Sequence, residues 1–186
     1  MTDGRQTAAT APAVAGPRLL LGIEDEGWEA LLGADPETLV REAIGAVSAR
    51  LPALAAADTE ISVSLDSDAA VRELNRQWRG KDKPTNVLSF PMMQLAPGDA
   101  PGPLLGDLVL ARETLGREAA AEGKPVADHF RHLVVHGTLH LLGYDHETDD
   151  EADAMEALEI EILAGLGIAD PYAETADAAP MSQPNG

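Results

Sequence analysis

The chain has no cysteine, which removes disulfides, thiolate metal ligands and cysteine nucleophiles together. Any metal site must then be built from histidines and carboxylates. Aromatic residues are scarce, two each of Trp, Tyr and Phe, so Leu, Ile, Val and Ala must do most of the core packing. Long apolar runs are missing too. Near the N-terminus only Leu19 to Ile23 is apolar, too short for a signal-peptide core or a membrane span, so the expectation is a cytoplasmic protein with no membrane partner. Basic residues are outnumbered, with 13 Lys and Arg against 32 Asp and Glu and a net charge of −19. Such a balance argues against nucleic-acid binding by the whole surface, because phosphate contacts need a basic footprint.

The charge is unevenly spread. From Asp145 onward there are twelve acids and no Lys or Arg, whereas Arg72 to Lys83 holds five bases against two acids. That basic segment is either a local anion site in an acidic protein or a solvated helix face and turn. At 186 residues and 45% hydrophobic content, the chain suits one domain with a real core. Residues 1–16 and 173–186 are Ala-, Thr- and Pro-rich with no apolar period and read as disordered tails around a domain over 17–172.

Within that domain the pattern begins as strand, helix, strand. Leu19 to Ile23 is a strand candidate, Glu37 to Leu51 a helix started by Asp35 and Pro36, and Glu60 to Leu65 an alternating strand. Asp66 to Asp68 offers caps for a helix through Trp78, with Val71, Leu74 and Trp78 on one stripe. Strands follow at Asn86 to Phe90 and Gly106 to Ala111, separated by a Pro/Gly-rich loop. Helices are expected over Glu113 to Ala121, Val126 to Leu142 and Asp149 to Leu166, the last with a buried stripe of Met155, Leu158, Ile162 and Leu166. The expected fold class is α+β, a mixed sheet of about four strands packed with about five helices.

Four of the five histidines, His129, His132, His136 and His140, fall on one predicted helix, and His146 follows just past its end. Residues four apart stack on one helical face, roughly 6 Å along the axis, so His136 and His140 can converge on one metal ion. Gly143 can take the left-handed conformation that ends the helix and turn the chain so that His146 faces the same point. The result is H-x-x-x-H-x-x-G-x-x-H, the ligand spacing of the metzincin zinc enzymes. Three protein ligands leave an open position where water can be acidified toward a pKa of about 7, which points to a hydrolase. Position 137, where a zincin peptidase keeps its general-base glutamate, is Gly137, a residue that could leave room for a bulky substrate. Three imidazoles also suit nickel, copper or iron. His129 and His132 are expected to pack behind the ligands, and Asp145 either orients a ligand imidazole or is a turn residue.

The segment HGTLHLLGYDH, His136 to His146, closely resembles the signature of the YbeY family of bacterial endoribonucleases. RELNRQWRGKDKPTNVLSFP, Arg72 to Pro91, is similar to a second motif of that family, and LLGDLVLA, Leu104 to Ala111, to the strand that follows it. Trp78 departs from the family's usual tyrosine and keeps an aromatic at an expected packing position. The resemblance implies a compact α+β domain and one zinc ion on His136, His140 and His146. It also implies cleavage of single-stranded RNA, in ribosomal RNA maturation and ribosome quality control. Arg79 corresponds to the family's functional arginine and would bind the scissile phosphate, its planar fork donating two parallel hydrogen bonds. Lys81 and Lys83 would track the flanking backbone. Arg79 and His136 are thus the expected catalytic residues, and single-stranded or ribosomal RNA and the ribosome or its proteins the expected partners. No residue stands out as a strong general base. A monomer is expected, since no apolar stripe is left over. Two other functions compete: a non-catalytic, zinc-stabilised ribosome assembly factor, and a zinc peptidase, which Gly137 disfavours.

Overall fold

The computed structural model describes residues 16–173. The tails expected at 1–16 and 173–186 lie outside the described residues, apart from Gly16 and Ala173. In chain order the elements are β1 (Arg18–Ile23), α1 (Trp28–Leu32), α2 (Pro36–Arg50), α3 (Pro52–Ala55), β2 (Glu60–Asp66), α4 (Asp68–Arg79), β3 (Val87–Pro91), β4 (Leu104–Ala111), α5 (Arg112–Glu122), α6 (Val126–Leu141) and α7 (Asp149–Gly165). The four strands form one sheet in the order β1-β2-β4-β3. β1, β2 and β4 are parallel neighbours, and β3 runs antiparallel on the β4 edge. The sheet is therefore mixed, as the pattern of elements predicts.

The five expected helices are present, within one or two residues at their ends, and two short ones join them. α1 breaks no period visible in the sequence; it exists because Trp28 is fully buried, with Nε1 donating to the Asp66 carbonyl at 3.2 Å and the ring edge-on to Phe130 at 5.6 Å. α3 is a single turn after Leu51, seeded by Pro52 and held by buried Leu54. Period-2 alternation sorts the strands onto two faces. Ile61, Val63 and Leu65 of β2, with Leu108 and Leu110 of β4, face a core shared with α2 and α6. Leu88, Val109 and Ala111 face the other way, under Val71 of α4.

Two devices place the site. α6 runs through the centre of the molecule with Phe130, Leu133, Val134, Val135, Leu139 and Leu141 buried, so a rigid, packed helix carries the histidines. α4 is anchored at its start by reciprocal capping: the Asp68 backbone N–H donates to Glu113 and the Thr114 backbone N–H donates to the Asp68 carboxylate, each at 2.8 Å. Its C-terminal end, bearing Arg79, then lies beside the β3 edge, and Gly80 ends the helix in the left-handed conformation.

Candidate metal centre

His129, His132, His136 and His140 recur at helical spacing along one side of α6, and His136 and His140 bring their rings to 4.6 Å between centroids. Gly137 faces the other way. A Cβ there would stand 2.8 Å from Leu108 Cδ2 and 3.3 Å from Ser89 Oγ, so the glycine lets α6 lie directly on the sheet. The expectation that it opens space for a substrate is corrected: position 137 is buried against β3 and β4 and does not border the site.

The hydrogen bonds behind the rings decide which nitrogens face forward. His136 Nδ1 lies 2.5 Å from Glu159 Oε1, and His140 Nδ1 lies 2.9 Å from the Tyr144 carbonyl oxygen. Both partners are acceptors only, so each Nδ1 is the donor and carries the proton. In the neutral rings both Nε2 atoms then present lone pairs to one another, 3.0 Å apart. Two opposed lone pairs repel unless a cation lies between them. Gly143, at φ 91°, turns the chain after α6, and a Cβ on it would meet the Leu95 carbonyl oxygen at 2.1 Å. Only glycine fits there, and the turn returns His146 to 4.9 Å from the His140 ring and 5.7 Å from the His136 ring. Thr148 then starts α7 with a reciprocal cap to Glu151, which closes the loop. One nitrogen from each of the three rings falls within 4.8 Å of the others. Zinc–nitrogen bonds of about 2.0–2.1 Å place tetrahedral ligand nitrogens about 3.3 Å apart, so the donor set fits a divalent ion. Burial, followed by the neighbouring His136 and His146 rings, lowers the His140 pKa to about 4, which keeps that ring neutral and able to coordinate.

Glu159 of α7 was not anticipated. Its side chain is fully buried, and it accepts from His136 Nδ1 and from His132 Nε2 at 3.0 Å, with a further contact from the Tyr172 hydroxyl. Burial alone pushes its pKa up. The hydrogen bonds from His132 and His136, the field of His136 and the Tyr172 hydroxyl outweigh that and hold it at about 2. In turn, burial and the bond to Glu159 push the Tyr172 hydroxyl well above its usual range. Glu159 therefore does for His136 what the Tyr144 carbonyl does for His140, fixing ring orientation and tautomer. His132, expected to pack behind the ligands, does so through this carboxylate. His132, His136 and Glu159 also form a second group close enough to hold a metal, but their facing atoms are already joined by hydrogen bonds. Asp145 does not orient an imidazole: its carboxylate accepts from the His146 backbone N–H at 2.8 Å, as a turn residue does.

The three rings open into a cavity of about 600 Å³ bordered by Arg79, Asn86, Ser89, Gln94 and Glu147. Arg79 enters this border from the end of α4 and donates from Nη2 to the Ser89 carbonyl at 3.3 Å. The family model for Endoribonuclease YbeY matches residues 24–167.

The chain belongs to the YbeY endoribonuclease family.

Among its relatives, an Endoribonuclease YbeY of Azorhizobium caulinodans is 55% identical over 157 residues, 83% of this chain and 96% of that protein. One of Allorhizobium ampelinum is 50% identical over 155 residues, 82% of this chain and 93% of that protein. The solution structure of TM1509 from Thermotoga maritima, 26% identical, superposes with a TM-score of 0.50 over 84% of this chain and 99% of that one.

Two of the five bases in the basic segment of this YbeY-family chain are neutralised. Arg72 pairs with Asp82 at 2.8 Å and Arg76 with Glu73 at 2.6 Å. Arg79, Lys81 and Lys83 form no ion pair among the described residues. Arg79 borders the cavity, while Lys81 and Lys83 are exposed beyond it. Trp78 is expected to pack; it is instead 72% exposed, lying over the edge strand β3 where its one aromatic contact is Phe90, edge-on at 6.2 Å.

Proposed function

We propose that this chain is a zinc-dependent endoribonuclease that cleaves single-stranded RNA during ribosomal RNA maturation and ribosome quality control, as a cytoplasmic monomer. Support for a metal comes from the opposed Nε2 lone pairs of His136 and His140, with His146 completing the donor set. That convergence is the observation that carries the proposal. When bound, zinc supplies Lewis acidity and acidifies water that reaches its open position. The group of three nitrogens includes neither His132 nor Asp145, which favours a site with room for substrate over one closed by a fourth protein ligand.

The chain's own residues supply the remainder. Arg79, tethered through one Nη2 contact to Ser89, keeps further donors for a phosphate at the cavity border and stabilises the charge that develops on it. Lys81 and Lys83 extend the positive charge away from the cavity and are assigned to the flanking backbone. Glu159 holds the Nδ1 proton of His136 throughout, and among the described residues no buried carboxylate faces the cavity as a general base. Against a net charge of −19, these few unpaired bases give a short electrostatic footprint. Recruitment is therefore assigned to the ribosome or its proteins, with local binding that weakens as salt rises.

The test is cleavage of a labelled single-stranded RNA by the zinc-loaded chain, His136→Ala and Arg79→Ala, with metal analysis of each. Cleavage by the parent alone, with Arg79→Ala still holding about one zinc, supports the assigned roles. Equal cleavage by all three identifies a contaminant and moves the non-catalytic assembly factor forward.

A further inference from the structure

We propose that the Trp78 indole is a stacking platform for one nucleobase of single-stranded RNA, adjoining the phosphate at Arg79; this rests on the endoribonuclease reading above. Exposed apolar side chains scattered singly need no explanation, but Trp78 is not isolated. Met92 and Met93, 55% and 49% exposed, follow β3 at the same edge, and Met93 borders the histidine cavity. Trp78 and Arg79, consecutive on α4, touch Phe90 and Ser89, consecutive on β3: the indole meets the Phe90 ring, and the guanidinium meets the Ser89 carbonyl. A strand crossing this edge would meet an aromatic surface and then, one residue on, a guanidinium at the cavity border.

The contact with Phe90, at 64° between ring planes, steadies the indole yet leaves most of it to solvent. A base can then stack without first ordering the side chain, and stacking is tolerant of sequence because every base has a π-face. Charge favours an anionic strand, and the exposed indole beside it suits a nucleobase, which an acidic peptide segment does not supply. Arg72 and Arg76 are already paired, whereas Arg79, Lys81 and Lys83, which follow Trp78 within five residues, form no ion pair among the described residues. Asp107, the register partner of Phe90 and exposed on the same face of the sheet, repels phosphate. The phosphates are thereby directed to the Arg79 side and the uncharged base to Trp78.

Trp28 is fully buried, so solute-accessible tryptophan fluorescence reports Trp78. The zinc-loaded full chain is titrated with a 2′-O-methylated single-stranded oligoribonucleotide, and separately with the same oligomer carrying abasic positions. Expected are quenching of the parent by the first oligomer and, read for parent and variants alike from the anisotropy of the same oligomer carrying a 5′-fluorescein, binding weakened about 5- to 150-fold in Trp78→Ala, recovery in Trp78→Tyr, and little effect of Trp78→Ala on the abasic oligomer. Zinc content and thermal midpoint should match the parent, since the side chain is largely outside the core. If the parent binds and cuts RNA while Trp78→Ala shows the same KM and no quenching occurs, the platform is refuted and the nuclease reading stands. If the parent neither binds nor cuts RNA, both fall together.

Discussion

Replacing Glu159 separates orientation of a ligand from ligation itself. The carboxylate has no solvent contact and accepts charge-assisted hydrogen bonds from His136 and His132, each worth about 1.5–3 kcal/mol. Glu159→Ala opens a cavity and leaves those donors unpaired, so the metal-free protein should lose about 3–5 kcal/mol, a large part of the roughly 5–15 kcal/mol that holds a domain of this size. Glu159→Gln keeps the volume and one acceptor oxygen. It loses the negative charge that anchors the Nδ1 proton of His136, so its main effect should be on the metal. Groups that orient a ligand imidazole are worth about 10–100-fold in metal affinity, equivalent to about 1.4–2.8 kcal/mol. The assay is zinc competition against a chelator of known affinity, paired with denaturant melts of the metal-free proteins. A Gln variant that binds zinc within about threefold of the parent would refute the orienting role, whatever its stability.

Three further outcomes follow from the same geometry. The metal-free protein should lose stability in two acid windows. His140 is neutral in the fold with a pKa of about 4 against the usual 6.5, so the unfolded chain takes up the proton first and stability falls as pH drops from about 6.5 to about 4. Glu159, held at about 2 against the usual 4.5, contributes stability that is complete above 4.5 and lost on the way to 2. Melts from pH 7 to 3 check this, and a flat profile down to pH 4 contradicts the burial of His140. Gly137→Glu, which restores the zincin glutamate by position, should yield a destabilised protein with no peptidase activity, because overpacking against Leu108 costs about 1–3 kcal/mol before the charge is counted; a stable variant that cleaves casein would overturn the packing argument. Gly143→Ala should cost about 1–3 kcal/mol from φ alone and weaken zinc binding as well, since the turn that returns His146 must move off the Leu95 carbonyl; equilibrium melts and chelator competition measure the two effects separately.

What the sequence disclosed depended on whether the relevant signal was local. The helix carrying His136 and His140, the glycine turn to His146, the Asp35 start of α2 and a cap for α4 within Asp66 to Asp68 are written in local spacings, and the structure contains them, with Ser67 as the cap of α4. α1 and α3 were invisible because each is a turn or so long and is held by one or two buried residues, Trp28 and Leu54, whose partners lie far away in the chain. Gly137 was read as room for substrate because spacing tells which residues share a helical face and says nothing about which face lies on a sheet. Trp78 differs from expectation for a related reason: the stripe of Val71, Leu74 and Trp78 is continuous along α4, but it passes from buried Val71 to Trp78 over the edge strand β3, where little lies beyond the Phe90 ring to cover an indole.

Glu159 is the instructive omission. The stripe predicted for α7 was Met155, Leu158, Ile162 and Leu166, and a glutamate beside it in an acid-rich helix reads as solvated surface. Yet Glu159 is four residues after Met155 and three before Ile162, both fully or nearly buried, and that interval places its Cβ on the inward face. A charged residue at a core position is tolerated only if it is paired, and the donors that meet this one are His132 and His136 of the neighbouring helix and the Tyr172 hydroxyl. The signal was therefore present as a conflict between residue type and position: a carboxylate where the helical period demands an apolar side chain indicates that polar groups wait opposite, here the imidazoles of His132 and His136, the second of which the site uses directly.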